Sequence, residues 1–141
     1  MKLSSRTRYG IASLVYIVSK GNQQTSLNTL SKELDISKIY LEQIYSDLKK
    51  SQIVESIKGP TGGYYVKDSN VTLLEIFETL EPQLFEITED ACSSETLNNA
   101  LYNHIYVLLD DSIKAKLQSL RLFEIAESIQ VETSESLMYY I

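Results

Sequence analysis

KIYLEQIYSDLKKSQIVESIKGPTGGYYV, residues 38–66, carries two periodicities in succession. Leu41, Ile44, Tyr45 and Leu48 recur at offsets 0, 3, 4 and 7, the spacing of one helix face, with Ser37 where an N-cap belongs and Lys49 and Lys50 at the negative end of the helix dipole. The period then drops to two. Ile53, Glu55 and Ile57 alternate with Val54, Ser56 and Lys58 before Gly59-Pro60-Thr61-Gly62-Gly63 turns the chain into Tyr64-Tyr65-Val66. Gly59, Gly62 and Gly63 let the backbone adopt positive φ and lie close against a partner surface, giving a thin tip with Lys58 at its base.

Upstream, TSLNTLSKEL (residues 25–34) offers Thr25 or Ser26 as N-cap and Leu27, Leu30 and Leu34 as an apolar stripe. The turn Asp35-Ile36-Ser37 separates it from the next helix, which is helix-turn-helix spacing. Before both, Tyr9, Ala12, Leu14, Val15, Ile17 and Val18 make a first helix with one broad buried face, ended by Gly21. Three helices and then a hairpin make the expected fold mainly α with a small β-hairpin wing. The chain divides into a winged helix-turn-helix unit over residues 1–80, a dimerisation region with a long helix over 81–133, and a tail over 134–141.

Charge separates the two halves. Residues 1–68 hold ten Lys and Arg against six Asp and Glu, whereas residues 69–141 hold three against thirteen, so the net charge of −6 averages two unlike parts. A basic front is the footprint a surface for double-stranded DNA needs, and an acidic back resists the same polyanion. No apolar run reaches the length of a membrane span and no signal-peptide core follows the start, so a cytoplasmic chain is expected, with no membrane partner. One cysteine, Cys92, and one histidine, His104, exclude a disulfide framework and an all-cysteine metal site within one chain. No nucleophile–base pair or phosphate loop is visible, so no enzyme activity and no cofactor are expected.

On this reading Ser37, Lys38, Tyr40, Glu42 and Gln43 lie at the start of the recognition helix and face DNA. Gln43 can pair with adenine and Glu42 can accept from cytosine N4, while Tyr40 has the core as its alternative. Arg6, Arg8 and Lys49 or Lys50 are expected on phosphate, and Lys58, Gly59, Pro60, Thr61 and Gly62 at the wing, in or beside the minor groove.

MKLSSRTRYG, LEQIYSDLKKSQIVESIKGPTGGY and VTLLEIFETLE together resemble the Rrf2 family of bacterial winged-helix transcription regulators over roughly the first eighty residues. The resemblance implies a homodimer paired through a long helix. ETLNNALYNHIYVLLDDSIKAKL supplies a stripe for it in Leu97, Leu101, Ile105 and Leu108, continued by Ser112 and Ala115. Two recognition helices would then meet a pseudo-palindromic operator.

Many family members hold an iron–sulfur cluster on three cysteines in this region. Here only Cys92 stands, with Asn98 and His104 where further ligands would be sought. Two donors fall short of the four a [2Fe–2S] centre requires. Cys92 is then a loop thiol and candidate redox residue, and His104 a helix-surface or dimer-contact residue.

Within the family the chain is similar to cluster-less regulators of cysteine metabolism, which end in an aromatic pair and isoleucine. That resemblance implies a protein co-effector, cysteine synthase (O-acetylserine thiol-lyase), engaging Met138, Tyr139, Tyr140 and Ile141. An enzyme that holds an amino-acid carboxylate can hold a peptide C-terminus in the same place, and burial of the Ile141 side chain would add about 1.5–3 kcal/mol. O-acetylserine would then displace the tail by mass action. The alternatives are a tail packed on its own dimer domain, an iron–sulfur or redox sensor, and a protein-interaction module without DNA binding.

Overall fold

The computed structural model describes residues 1–139, leaving aside the side chains of 131–134 and 136–139. The side chains of Met138 and Tyr139, and all of Tyr140 and Ile141, thus lie outside the described residues, and the tail assignment with them.

The first helix, α1 (Ser5–Ser19), is capped twice at its start. Ser4 Oγ accepts from the Thr7 amide at 3.2 Å, and the Glu81 carboxylate accepts from the Ser4 amide at 3.1 Å, from Ser4 Oγ at 2.7 Å and from Thr7 Oγ1. A carboxylate at this position also complements the positive end of the helix dipole. The other end closes as a Schellman turn, Asn22 N–H to Ile17 C=O at 3.0 Å and Gly21 N–H to Val18 C=O at 3.1 Å, with Gly21 at φ +84°.

Ser26, of the two candidates, caps α2 (Leu27–Leu34) by accepting from the Thr29 amide. The chain then turns through left-handed Asp35 and buried Ile36 into α3 (Lys38–Lys50). Ser37 occupies the N-cap position of α3, but its side chain makes no capping hydrogen bond. Leu41, Ile44, Tyr45 and Leu48 are all buried, as their spacing predicts. Each fully buried apolar side chain contributes about 1.5–3 kcal/mol, so this stripe seats α3 on the core.

The hairpin joins β1 (Val54–Ile57) to β2 (Gly63–Val66) antiparallel, with Val54 opposite Val66 and Ile57 opposite Gly63. Val54 and Val66 are buried and Ile57 is exposed at 46%, so the hairpin enters the core at its base and leaves it toward the tip. Of the three wing glycines only Gly59 takes positive φ, +119°. Gly62 and Gly63 are required by close approach instead: a Cβ on Gly62 would fall 2.1 Å from the Ile57 carbonyl oxygen, and one on Gly63 2.4 Å from the Thr25 carbonyl carbon. That second approach marks a backbone pairing the sequence does not announce, Thr25 and Tyr64 exchanging N–H···O bonds of 2.9 and 2.8 Å.

A Thr72–Glu75 capping box starts α4 (Leu73–Leu80), which buries Leu73, Ile76, Phe77 and Leu80. A short 3₁₀ turn (Pro82–Phe85) and a loop lead to α5 (Glu95–Leu101), a π turn (Tyr102–Tyr106) and α6 (Val107–Ser119). The last helix, α7 (Leu122–Tyr139), returns to the winged unit. Leu122 and Ala126 belong to the same buried core, and the strand-like link at 120–123 bonds to Ser69, Val71 and Leu73. The packing unit built on α1–α4 therefore reaches past residue 80 into α7.

Candidate nucleic-acid interface

Burying one face of α3 leaves the opposite face to solvent. Lys38, Glu42 and Gln43 are exposed, as expected, and so are Ile39 and Ser46, which the sequence reading passed over. Ile39 is 69% exposed. Its signal was there, since an apolar residue two places before Leu41 falls off the buried stripe; such a side chain can contact a thymine methyl in the major groove. Ser37 is exposed at the head of the helix.

Tyr40 is half-buried and stands edge-on to Tyr9, 5.6 Å between ring centroids, with the Arg8 guanidinium 5.6 Å from the Tyr9 centroid on the ring's other contact. Arg8 also donates to Ser5 Oγ at 3.0 Å and remains exposed. Arg8, Tyr9 and Tyr40 thus brace the front of α3 against α1, while leaving one cation at the surface.

The other candidate phosphate contacts have partners within the chain. Arg6 Nη2 donates to Asp47 Oδ2 on α3, and Lys50 Nζ lies 3.7 Å from Asp47 Oδ1. The Arg6 hydrogen bond holds the Asp47 carboxyl below the usual carboxylate range. Lys49 Nζ donates to Ser56 Oγ on β1 at 2.7 Å, linking the C-terminal end of α3 to the wing. A second link lies underneath, where the Tyr45 and Tyr64 rings meet edge to face at 4.9 Å. Lys58, Gly59, Pro60 and Thr61 are exposed at the tip, with Gly62 half-buried behind them and its amide bonded to the Gly59 carbonyl at 3.0 Å. The structure therefore brings the α3 face, Arg8 and the wing tip onto one framework.

The expected dimer stripe is on the surface of this chain. Among the described residues from Glu95 to Ser119 none is buried, and Leu97, Ile105, Leu108 and Leu109 are 51%, 45%, 55% and 57% exposed, with Leu101 half-buried. Steps of four overshoot an α-helical turn by about 40°, so such a stripe drifts around a regular helix. The π turn, in which Val107 N–H reaches the Tyr102 C=O, takes up that excess between Leu101 and Ile105.

Cys92 is exposed in the loop before α5. Asn98 ties that loop down: its Oδ1 accepts from the Ala91 and Cys92 amides at 3.1 and 3.3 Å, and its Nδ2 donates to the Cys92 carbonyl at 2.7 Å. Its amide is thereby engaged with backbone. His104 is exposed on the π turn.

The profile of the Rrf2 family, described as iron-dependent transcriptional regulators, matches residues 3–128. The chain is 30% identical to the HTH-type transcriptional regulator CymR of Bacillus subtilis, over the whole of both chains. It is 33% identical to the HTH-type transcriptional regulator IscR of Cereibacter sphaeroides, over 77% of this chain and 81% of that one. The structure of CymR, the global cysteine regulator of B. subtilis, superposes with a TM-score of 0.75 at 26% identity, covering 91% of this chain and 98% of that one. The iron dependence in the family's description does not fit the donors here. The chain has one cysteine and one histidine, Asn98 is engaged with backbone, and among the described residues no three His, Cys, Asp or Glu side chains gather to hold a metal.

Proposed function

The chain belongs to the Rrf2 family of transcriptional regulators, and from that premise we propose that α3 reads base edges in the major groove while the wing tip lies along the minor groove or its phosphates. The observation that carries this reading is the exposed α3 face of Lys38, Ile39, Glu42, Gln43 and Ser46, held beside an exposed Lys58–Thr61 tip. Gln43 and Glu42 take the base-reading roles, with Ser37 and Lys38 at the helix start. Arg8, Lys38, Lys58 and the C-terminal lysines of α3 supply phosphate contacts, and Tyr40 positions the helix through Tyr9.

Two copies pair through Leu97, Leu101, Ile105 and Leu108, because a helix of this length without a buried residue needs a covering surface and a second copy presents the same stripe. A two-fold pair then sets two α3 helices on a pseudo-palindromic operator.

The regulated genes, on this proposal, serve cysteine metabolism and are repressed. Full-length similarity to CymR, named a global cysteine regulator, supports that assignment. The signal enters through cysteine synthase, which takes the C-terminal residues Met138, Tyr139, Tyr140 and Ile141 and releases them when O-acetylserine fills the same pocket. Pull-down with full-length chain from lysate tests this directly. Cysteine synthase should be retained, released by O-acetylserine, and lost with a chain ending at Leu137; retention by that shortened chain contradicts it. The family's description as iron-dependent regulators carries an iron–sulfur sensor as second reading, against the donor count given above. A visible absorbance band from anaerobically purified protein would establish it over the first.

A further inference from the structure

Asp47 is a carboxylate on the face of α3 that meets DNA, which is the wrong sign for that place. It lies one turn beyond Gln43 and lines the same shallow depression as Ile39, Glu42, Gln43 and Ser46. Its side chain is 38% exposed, and it is engaged by Arg6 from α1 and, more distantly, by Lys50. Arg6 sits in the first turn of α1, two residues before exposed Arg8, yet its side chain is only 30% exposed because it is folded onto Asp47. Arg6 Nη2 is taken by Asp47 Oδ2, which offsets the guanidinium charge and turns the side chain toward α3, so DNA and Asp47 compete for one cation. The uncompensated part of the Asp47 charge also repels the duplex backbone.

We propose that Asp47 is a specificity-determining residue: by holding Arg6, it withholds a cation from the phosphate footprint and depresses sequence-independent binding. Discrimination then falls to the base-facing side chains, since affinity common to all sequences dilutes any preference among them. The assignment rests on the DNA-binding reading given above. Removing the Asp47 charge should free Arg6 for phosphate. The slope of log K against log salt then steepens by about 0.9, the value for one further phosphate neutralised, and random-sequence affinity rises by roughly 3- to 10-fold at low salt.

The test uses full-length protein and a fluorescent random-sequence duplex of about 30 base pairs, titrated at several salt concentrations. Wild type, Asp47→Asn, Arg6→Gln and the double variant form a cycle, with thermal melts confirming that each is folded; Asp47→Ser replaces Asp47→Asn if the latter melts early. The gain from Asp47→Asn should appear in the wild-type background and vanish with Arg6→Gln. An equal gain in both backgrounds reduces the effect to simple charge counting and overturns the proposal, as does no gain at all. If wild type shows no salt-dependent binding to any duplex, the DNA-binding reading itself fails, which is a separate result.

Discussion

Tyr45 of α3 and Tyr64 of β2 meet edge to face, 4.9 Å between centroids, so α3 and the wing beside it share one aromatic joint. Tyr45 is wholly buried, and its hydroxyl donates to Ser13 Oγ at 2.9 Å, which in turn donates to the Gly10 carbonyl at 2.8 Å. Burial pushes the Tyr45 phenol far above its ordinary pKa, so it stays a neutral donor. Tyr64→Ala should lose the ring pair, about 0.5–1.5 kcal/mol beyond its area burial. Tyr45→Phe removes one hydrogen bond and should lower stability by about 1 kcal/mol. Thermal or urea melts measure both, and wild-type stability in Tyr64→Ala would show that the joint does not couple wing to helix.

Gly63 tests the pairing beneath that joint. A Cβ there would meet the backbone of Thr25, which cannot swing aside as a side chain can, so Gly63→Ala should break the Thr25–Tyr64 bridge. Overpacking of this kind costs about 1–3 kcal/mol. Hydrogen exchange at the Thr25 and Tyr64 amides should speed up strongly, whereas unchanged protection would mean the bridge is dispensable.

Acid should weaken the anchorage of α1. Hydrogen bonds from Thr7 and Ser4 hold Glu81 below the usual carboxylate range, and Arg6 does the same for Asp47. A depressed folded-state pKa contributes stability that is complete above the unfolded value and is lost as pH falls through the folded one. Wild type should therefore lose stability as pH drops from about 5 toward 3. Glu81→Gln should start less stable at neutral pH and show a shallower acid decline. Parallel declines in melting temperature for the two proteins would remove Glu81 from the account.

Leu108 lies on the stripe, 55% exposed, on a helix with no buried residue. Leu108→Glu should leave the melt of the winged unit unchanged while placing like charges across a two-fold contact. Sedimentation should report a monomer. A dimer that persists unchanged in this variant would locate the interface elsewhere.

Local patterns made much of this fold readable before any coordinates. The buried stripe of α3 follows from Leu41, Ile44, Tyr45 and Leu48, and the exposed face is its complement, so part of the site came with the helix. What stayed hidden joins residues far apart in sequence: Thr25 with Tyr64, Arg6 with Asp47, and Leu122 and Ala126 with the core of α1–α4. Periodicity shows that a face is buried but not against what. The glycines of the wing show the same limit, because Gly62 and Gly63 answer to atoms across the hairpin and across the sheet rather than to their own φ. Ile39 shows the same from the other side: it is 69% exposed although apolar, because its position lies off the stripe.

Selection of duplexes from a randomised library tests the α3 assignment most directly. The wild-type protein should enrich a two-fold-symmetric motif with half-sites a whole number of helical turns apart, and Gln43→Ala should relax preference at one position in each half-site, by about 1–3 kcal/mol of discrimination. Arg8→Ala should weaken all sequences alike. Enrichment of no motif, or a motif unchanged by both Gln43→Ala and Glu42→Ala, would contradict the placement of α3 in the major groove.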